Sequence, residues 1–359
     1  MGIGRFLACG RDCPGYTKGV GRCVIAYKKC MADIYERLKS IGFNRNFVLD
    51  AILPEWWEDD MAMVPANRAM AEVAIARHLS LKVADLRKGS RKLRPLSVHN
   101  VRLKHRKGIE REDVLPTMVI HRRVARLAST RLVNVPEYAG PVTAKQARSE
   151  ILRTCPCVDL SSLLAFCWNR GVSVIHAHHV PASRKGLEGM ALFVERRPIV
   201  VVGSKRDSPP WLVFTLAHEL AHILKGHVGV GGKPLADSRI ELGDNDHDEK
   251  EANEYACELL TGQKQLAFQP EYGLTGAKLA DAARAYGREH GISPGVVALI
   301  YGWSAARWGP AQLALQRLHE HEGARRIIAQ AFQEHVDLAG APDATARFLG
   351  HVSAVPATS

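Results

Sequence analysis

The sequence lacks an apolar run long enough to cross a lipid bilayer, which takes about 20 consecutive apolar residues in a helix. Near the N-terminus, Phe6-Leu7-Ala8-Cys9 is faintly similar to a lipoprotein cleavage site. The apolar stretch before that site, however, is far too short for a signal peptide. We therefore predict a cytoplasmic protein that makes no contact with a membrane.

The eight cysteines include no C-x-x-C pair, the spacing typical of small zinc-binding modules. Four of them lie in the first thirty residues: Cys9, Cys13, Cys23 and Cys30. A small zinc knuckle there is an alternative that this spacing disfavours. Cys155 and Cys157 are too close in sequence for an ordinary disulfide, so the cysteines do not call for an oxidising compartment.

Acidic residues are scarce relative to basic ones, with 37 Asp and Glu against 49 Lys and Arg, a net charge of +12. The stretch from Lys82 to Arg131 alone carries a net charge of +11. Such a segment could clamp phosphates with salt-sensitive, sequence-independent affinity, so we predict DNA contact through 82–131. A solvated linker, a charged helix face or an acidic protein partner would fit the same charge.

Internal repeats and phosphate-cradling glycine loops are also absent from the 359 residues, of which 46% are hydrophobic. This length and composition predict two domains. We place a helical, basic domain at 31–133, a second domain at 134–310, and C-terminal helices with a disordered tail at 311–359. Two interpretations stay open for 1–30: an irregular basic segment, or an over-extended start of the reading frame.

Within the first domain, the stretch from Arg68 to Leu86 reads as two helices separated by a short break. This pattern is similar to the helix-turn-helix of phage-repressor type regulators. Any helical hairpin can produce it, and the central turn lacks the expected glycine. We therefore predict a helix-turn-helix-like fold and leave DNA binding as a separate question.

The segment from Trp211 to His227 contains His218, Glu219 and His222 in the order H-E-x-x-H, within a helical pattern of apolar residues. Two histidines four residues apart on a helix share one face, as two ligands of a single zinc ion require. Glu219 is rotated off that face, where it suits a general base acting on a metal-bound water. The alternative is a surface helix with two solvated histidines, but unpartnered imidazoles in so apolar a segment would be costly to bury.

A catalytic zinc needs a third protein ligand, and a second helical pattern begins at Asp248. Glu249 and Asn253 lie one turn apart on it, so Glu249 could bind the metal while Asn253 hydrogen-bonds a ligand histidine. Glu251 is the competing ligand, although it points to a different face. An acidic first turn is also what the helix dipole alone prefers.

H-E-L-A-H followed by E-K-E-A-N-E-Y-A-C-E-L-L resembles the ImmA/IrrE family of zinc metallopeptidases, whose pattern is H-E-x-x-H and then E-x-x-A-N/D-x-F/Y-A-x-x-L-L. The similar region runs from about Val158 to about Trp303. It implies Zn²⁺ held by His218, His222 and Glu249, with Glu219 as general base. The family's second helix often ends in Leu-Met-Pro, whereas here Leu259-Leu260 runs into Thr261-Gly262, which affects a helix exit and no ligand.

This resemblance implies an α+β fold: a zincin-like domain with a small antiparallel or mixed sheet against the two ligand-bearing helices. The implied activity is that of a zinc metallo-endopeptidase. Its implied substrate is a transcriptional repressor, cut to switch on genes of a mobile element or a stress response. The rival interpretation is a DNA-binding regulator or antitoxin-like protein with a structural or sensory zinc site.

Two apolar segments, MALFVE and PIVVVG, predict paired strands whose sheet edge could hold a substrate strand. Upstream, VSVIHAHHV reads as extended, which would place His176 and His178 on one face. We interpret these histidines as surface or cleft residues rather than ligands. His227 and Tyr255 are candidates by residue type for stabilising an oxyanion.

Overall fold

The structure is a computed structural model that describes residues 31–89, 92–96, 102–104, 111–180, 187–229 and 246–353. The interpretations of 1–30 and of the extreme C-terminal tail lie outside these residues. The fold is α+β, with fourteen helices and four strands among the described residues. No described helix is both long enough and apolar enough to cross a membrane.

The N-terminal part of the chain is helical. Its helices are α1 (31–40), α2 (Arg45–Phe47), α3 (Pro65–Leu79), α4 (Val83–Arg87) and α5 (Arg111–Ser129), with a π-helical turn at Val48–Ile52 and a 3-10 turn at Asp59–Met63. The predicted break after α3 is confirmed: it lies at Ser80, whose φ of 53° is left-handed. Helix α4 has only five residues. The similarity to a helix-turn-helix is therefore limited to α3, the break at Ser80 and this short helix.

An ion-pair cluster joins α3 to α4. The Glu72 carboxylate is 2% exposed and lies 2.9 Å from Nε of Arg68 and 2.8 Å from Nε of Arg87. Arg87 of the basic segment thus pairs with a buried carboxylate from a side chain that is itself 55% exposed. Much of the rest of that segment (90–91, 97–101 and 105–110) lies outside the described residues, so its predicted contact with DNA stays a prediction.

The sheet is mixed, with the strand order β1-β3-β4-β2. Its strands are β1 (Arg102–Lys104), β2 (Ser173–His176), β3 (Gly189–Val194) and β4 (Arg197–Val202). The antiparallel pair of β3 and β4 is the predicted hairpin, which turns at Glu195 with a φ of 55°. β2 adds to β4 in parallel, and β1 covers the outer edge of β3 over Gly189–Ala191.

Alternating side chains of the sheet enter two cores. Met190, Leu192 and Val201 face α5, in a core that also contains the N-terminal helices. Ala191, Val200 and Val202 face the opposite way, towards the helix that carries H-E-x-x-H. The sheet therefore lies between two helical layers, and its first core extends across the position of the predicted domain boundary near 134.

The remaining helices surround this centre. They are α6 (Ala144–Ile151), α7 (Leu160–Asn169), α8 (Pro209–Leu224), α9 (Asp246–Thr261), α10 (Gly276–His290), α11 (Pro294–Ser304), α12 (Trp308–Arg317), α13 (Ala324–His335) and α14 (Asp343–Ser353). Phe332 of α13 and Phe348 of α14 are buried with the N-terminal helices. The C-terminal helices thus complete the first core.

Candidate metal centre

Helix α8 positions the H-E-x-x-H residues. Pro209 and Pro210 occupy its first turn, where no N–H is needed, and Gly226 follows its end with a φ of 75°. Apolar packing buries this helix along most of its length, and His218 and His222 are both 0% exposed. Their Nε2 atoms converge and lie 3.2 Å apart.

Helix α9 brings Glu249 to the same point. Its Oε2 lies 3.2 Å from Nε2 of His218, and its Oε1 lies 3.5 Å from Nε2 of His222. This approach is close because Ala252 and Ala256 of α9 are fully buried in the core shared with α8. Glu249 itself is 41% exposed, so the cluster opens on one side.

The spacing of these three side chains fits a tetrahedral ion. With metal–ligand distances of about 2.0–2.1 Å, tetrahedral zinc separates its ligand atoms by roughly 3.3–3.4 Å. The two Nε2 atoms lie 3.2 Å apart, and the Glu249 carboxylate lies at 3.2 Å from one of them through Oε2 and at 3.5 Å from the other through Oε1. His218, His222 and Glu249 thus form one of two described groups whose ligand atoms are close enough to share a metal.

Asn253 lies one turn beyond Glu249 and contacts the back of His218. Its Oδ1 is 2.9 Å from Nδ1 of that histidine. An amide oxygen accepts a hydrogen bond, so Nδ1 carries the proton and Nε2 is left with its lone pair facing the cluster. The structure thus places Asn253 where the sequence pattern predicts it.

Glu219 lies beneath the start of β3 and is 0% exposed. The contact is close: a Cβ at Gly189 would come within 2.6 Å of both Cγ and Oε1 of Glu219. Glycine at the first position of β3 therefore makes room for this side chain. Gly189 carries no signal in the sequence for this role, because only the packing of β3 on α8 creates it.

The back of His222 contacts another histidine. Its Nδ1 lies 3.0 Å from Nδ1 of His227, whose Nε2 lies 3.1 Å from Oε2 of Glu251. Lys225 Nζ is 3.1 Å from the other oxygen of Glu251. Hydrogen bonds from His227 and then Lys225 lower the pKa of the Glu251 carboxyl. Glu251, the competing ligand in the sequence, thus contacts His227 and not the first cluster.

The other candidate residues lie elsewhere. The Tyr255 hydroxyl donates to the carbonyl of Val142 at 2.9 Å. His176 ends β2 and is buried, with Nε2 3.0 Å from the carbonyl oxygen of Ser204. The prediction that His176 is a surface or cleft residue was therefore wrong, because the sheet and α13 cover it. His178 lies beyond β2 and contacts Arg325 at 3.1 Å.

Comparison of the chain with family models, with curated proteins and with solved structures finds no match.

Proposed function

We propose that this protein is a zinc-dependent endopeptidase with a zincin-like catalytic region. The observation that supports this proposal best is the convergence of His218, His222 and Glu249 at separations of 3.2–3.5 Å. Nitrogen and carboxylate ligands at this spacing suit zinc. Among the described residues this group has three members, which leaves a fourth position for water or substrate.

Bound zinc would act as a Lewis acid towards a peptide carbonyl and would lower the pKa of a water molecule. His218, His222 and Glu249 would hold the ion, and Asn253 would keep His218 in the tautomer that can bind it. Glu219 would take a proton from the attacking water and return it to the leaving amine. The burial of Glu219 against Gly189 limits the positions from which it can do so.

A peptide substrate would suit the sheet edge beside Glu219, where an extended chain can add a strand. In the structure β1 pairs with this edge in antiparallel register, with Lys104 opposite Gly189. A substrate strand in the same register would first have to displace β1. By the resemblance in the sequence, we propose a transcriptional repressor as the substrate.

The decisive comparison is between wild type and Glu219→Gln, each loaded with zinc and co-expressed with a candidate repressor, to be sought in the neighbouring reading frames. We expect one zinc per chain in both proteins, and a loss of cleavage of about 10²–10⁴-fold in the variant, the usual contribution of a general base. Glu258→Gln, the same change on α9, serves as the matched control. A purified set of quenched fluorescent peptides gives the rate independently of the repressor.

Full cleavage by Glu219→Gln would contradict the catalytic proposal. A structural or sensory zinc site makes a different prediction, since zinc would then be bound but neither protein would cleave the repressor or the peptides. His218→Ala tests the zinc site on which both parts of the proposal rest. It should lose zinc and cleavage together.

A further inference from the structure

A chain of hydrogen bonds runs away from the proposed zinc site through His222. It continues from Nδ1 of His222 to Nδ1 of His227 at 3.0 Å, and from Nε2 of His227 to Glu251 at 3.1 Å. Glu251 in turn pairs with Lys225 at 3.1 Å. The His227 side chain is 6% exposed, so these contacts hold a buried ring.

The direction of this chain follows from the chemistry of imidazole. A neutral imidazole carries one ring N–H. If His222 binds a metal through Nε2, its proton is on Nδ1 and must be donated to Nδ1 of His227. His227 then carries its own proton on Nε2 and donates it to the carboxylate of Glu251. Each contact has one donor and one acceptor.

The same residues also form the second described group that could hold a metal, made up of His227, Asp248 and Glu251. A metal on Nε2 of His227 would leave the proton of that ring on Nδ1. With the first site filled, His222 would also carry its proton on Nδ1, and two N–H groups would then face each other at 3.0 Å. A metal at His227 is therefore incompatible with zinc at His218, His222 and Glu249. The hydrogen bond from His222 to His227 supports the site at His218, His222 and Glu249.

The position of the chain also links the two ligand helices. Lys225 caps the end of α8, and His227 follows it after the turn at Gly226. Glu251 lies on α9, two residues from Glu249. A single ring thus connects the segment after His222 to the helix that carries the third ligand.

We propose that His227 is a positioning residue for zinc: it orients His222 and fixes its tautomer through a hydrogen bond backed by Glu251 and Lys225. This inference rests on the proposed zinc site and assigns His227 no contact with the substrate. Loss of such an outer partner typically weakens metal binding by about 10–100-fold.

The test measures the zinc dissociation constant of the full chain by competition with a chromophoric chelator. His227→Leu removes the acceptor and should weaken zinc binding by about 10–100-fold. His227→Asn keeps an acceptor oxygen near the position of Nδ1 and should recover most of the affinity. His321→Leu, at a histidine whose side chain is 42% exposed and contacts Glu322, is the matched control and should bind zinc as the wild type does.

Two further measurements separate positioning from stability and from a second metal site. The melting temperatures of the zinc-free variants should stay close to wild type, whereas a merely structural role would lower them. Zinc content should be one ion per chain. Two ions per chain that fall to one in Asp248→Asn would instead indicate a second metal at His227. If His227→Leu fails to fold, Glu251→Leu tests the same chain from its other end.

Wild-type zinc affinity in His227→Leu, or in Glu251→Leu where that variant replaces it, would overturn the proposal. Because the readout is zinc affinity, this outcome is distinct from failure of the proposed peptidase activity. A protein that cleaves nothing but loses zinc affinity in His227→Leu would keep the inference. A His218→Ala variant that still binds zinc at this site would remove both.

Discussion

At the scale of single residues, the site depends on side chains that fix the orientation of other side chains. Asn253 and His227 each contact the Nδ1 atom of one histidine, at 2.9 and 3.0 Å. Both histidines therefore present Nε2 to Glu249. A lone imidazole on a helix could rotate about its side-chain bonds, so these two partners hold the orientation that the four-residue spacing makes possible.

Gly189 provides a prediction at this scale. In Gly189→Ala the new Cβ would lie 2.6 Å from Glu219 Oε1 and 2.8 Å from its Cδ, so the buried carboxylate must shift. A displacement of about 1 Å can cost roughly 10²-fold in rate, and we expect kcat for peptide cleavage to fall by about that factor. Zinc content should not change, because the proposed ligands do not include Glu219.

The control for this substitution is Gly309→Ala, where an added Cβ meets nothing within 4 Å. Steady-state cleavage and zinc analysis on the same preparations give the comparison. An unchanged kcat in Gly189→Ala would show that the base does not act from the position beside β3.

At the scale of whole elements, the placement of α9 decides whether Glu249 reaches the histidines. The far end of this helix is held by Arg148 of α6, which is 8% exposed. Its guanidinium donates to the carbonyls of Leu259 and Leu260, and also to those of His290 and Gly291 at the end of α10. One buried cation thus satisfies the carbonyl ends of two helices.

Arg148→Met should therefore destabilise the protein and weaken the proposed metal site together. The substitution leaves four carbonyls without this donor, and hydrogen bonds to a charged group contribute about 1.5–3 kcal/mol each. Since losses at one site are not additive, we expect a total decrease of about 3–5 kcal/mol in the free energy of unfolding. Zinc affinity should also decrease, because α9 carries Glu249.

Urea denaturation and zinc competition measure the two effects. Arg153→Met, at an exposed arginine shortly after α6, provides the control. If Arg148→Met were as stable as Arg153→Met, the end of α9 would not depend on this contact.

At the scale of the whole molecule, two buried histidines lie in or beside the core that joins the N-terminal helices, the sheet and the C-terminal helices. Burial lowers the pKa of His121 to about 3, with a smaller effect from His176. Burial, followed by Arg123 and Arg77, lowers the pKa of His78 to about 3. His78 also accepts a hydrogen bond from Arg123 and packs on the ring of Phe348.

These histidines predict a loss of stability in mild acid. The folded protein keeps both rings neutral, whereas the unfolded chain takes up protons as the pH falls below about 6.5. Stability should therefore decrease from about pH 6.5 downwards until the folded-state pKa near 3 is reached. Between pH 7.5 and 5, each histidine should account for about 2 kcal/mol of this loss.

The measurement is the free energy of unfolding in urea at several pH values. His121→Gln should reduce the difference between pH 7.5 and 5 by about 2 kcal/mol, whereas His321→Gln should leave it unchanged. Equal pH dependence in the wild type and His121→Gln would mean that His121 does not stay neutral in the folded protein.

The sequence by itself determined the helices that carry the site. Apolar periodicity, the proline pair before α8 and the four-residue spacing of His218 and His222 are local properties, and local geometry follows directly from them. The one-turn spacing of Glu249 and Asn253 is also a local property, so the sequence also predicted that these two residues share one face of α9. The strands of the hairpin followed from their apolar character in the same way.

Only the tertiary structure decided which distant side chains meet. His227 lies beyond the end of α8, where helical spacing no longer applies, and Gly189 reaches Glu219 only because β3 packs on that helix. The core that one face of the sheet shares with the N-terminal helices and α13–α14 is likewise a result of packing. Such contacts join residues far apart in the chain, and no local pattern encodes their distance or direction.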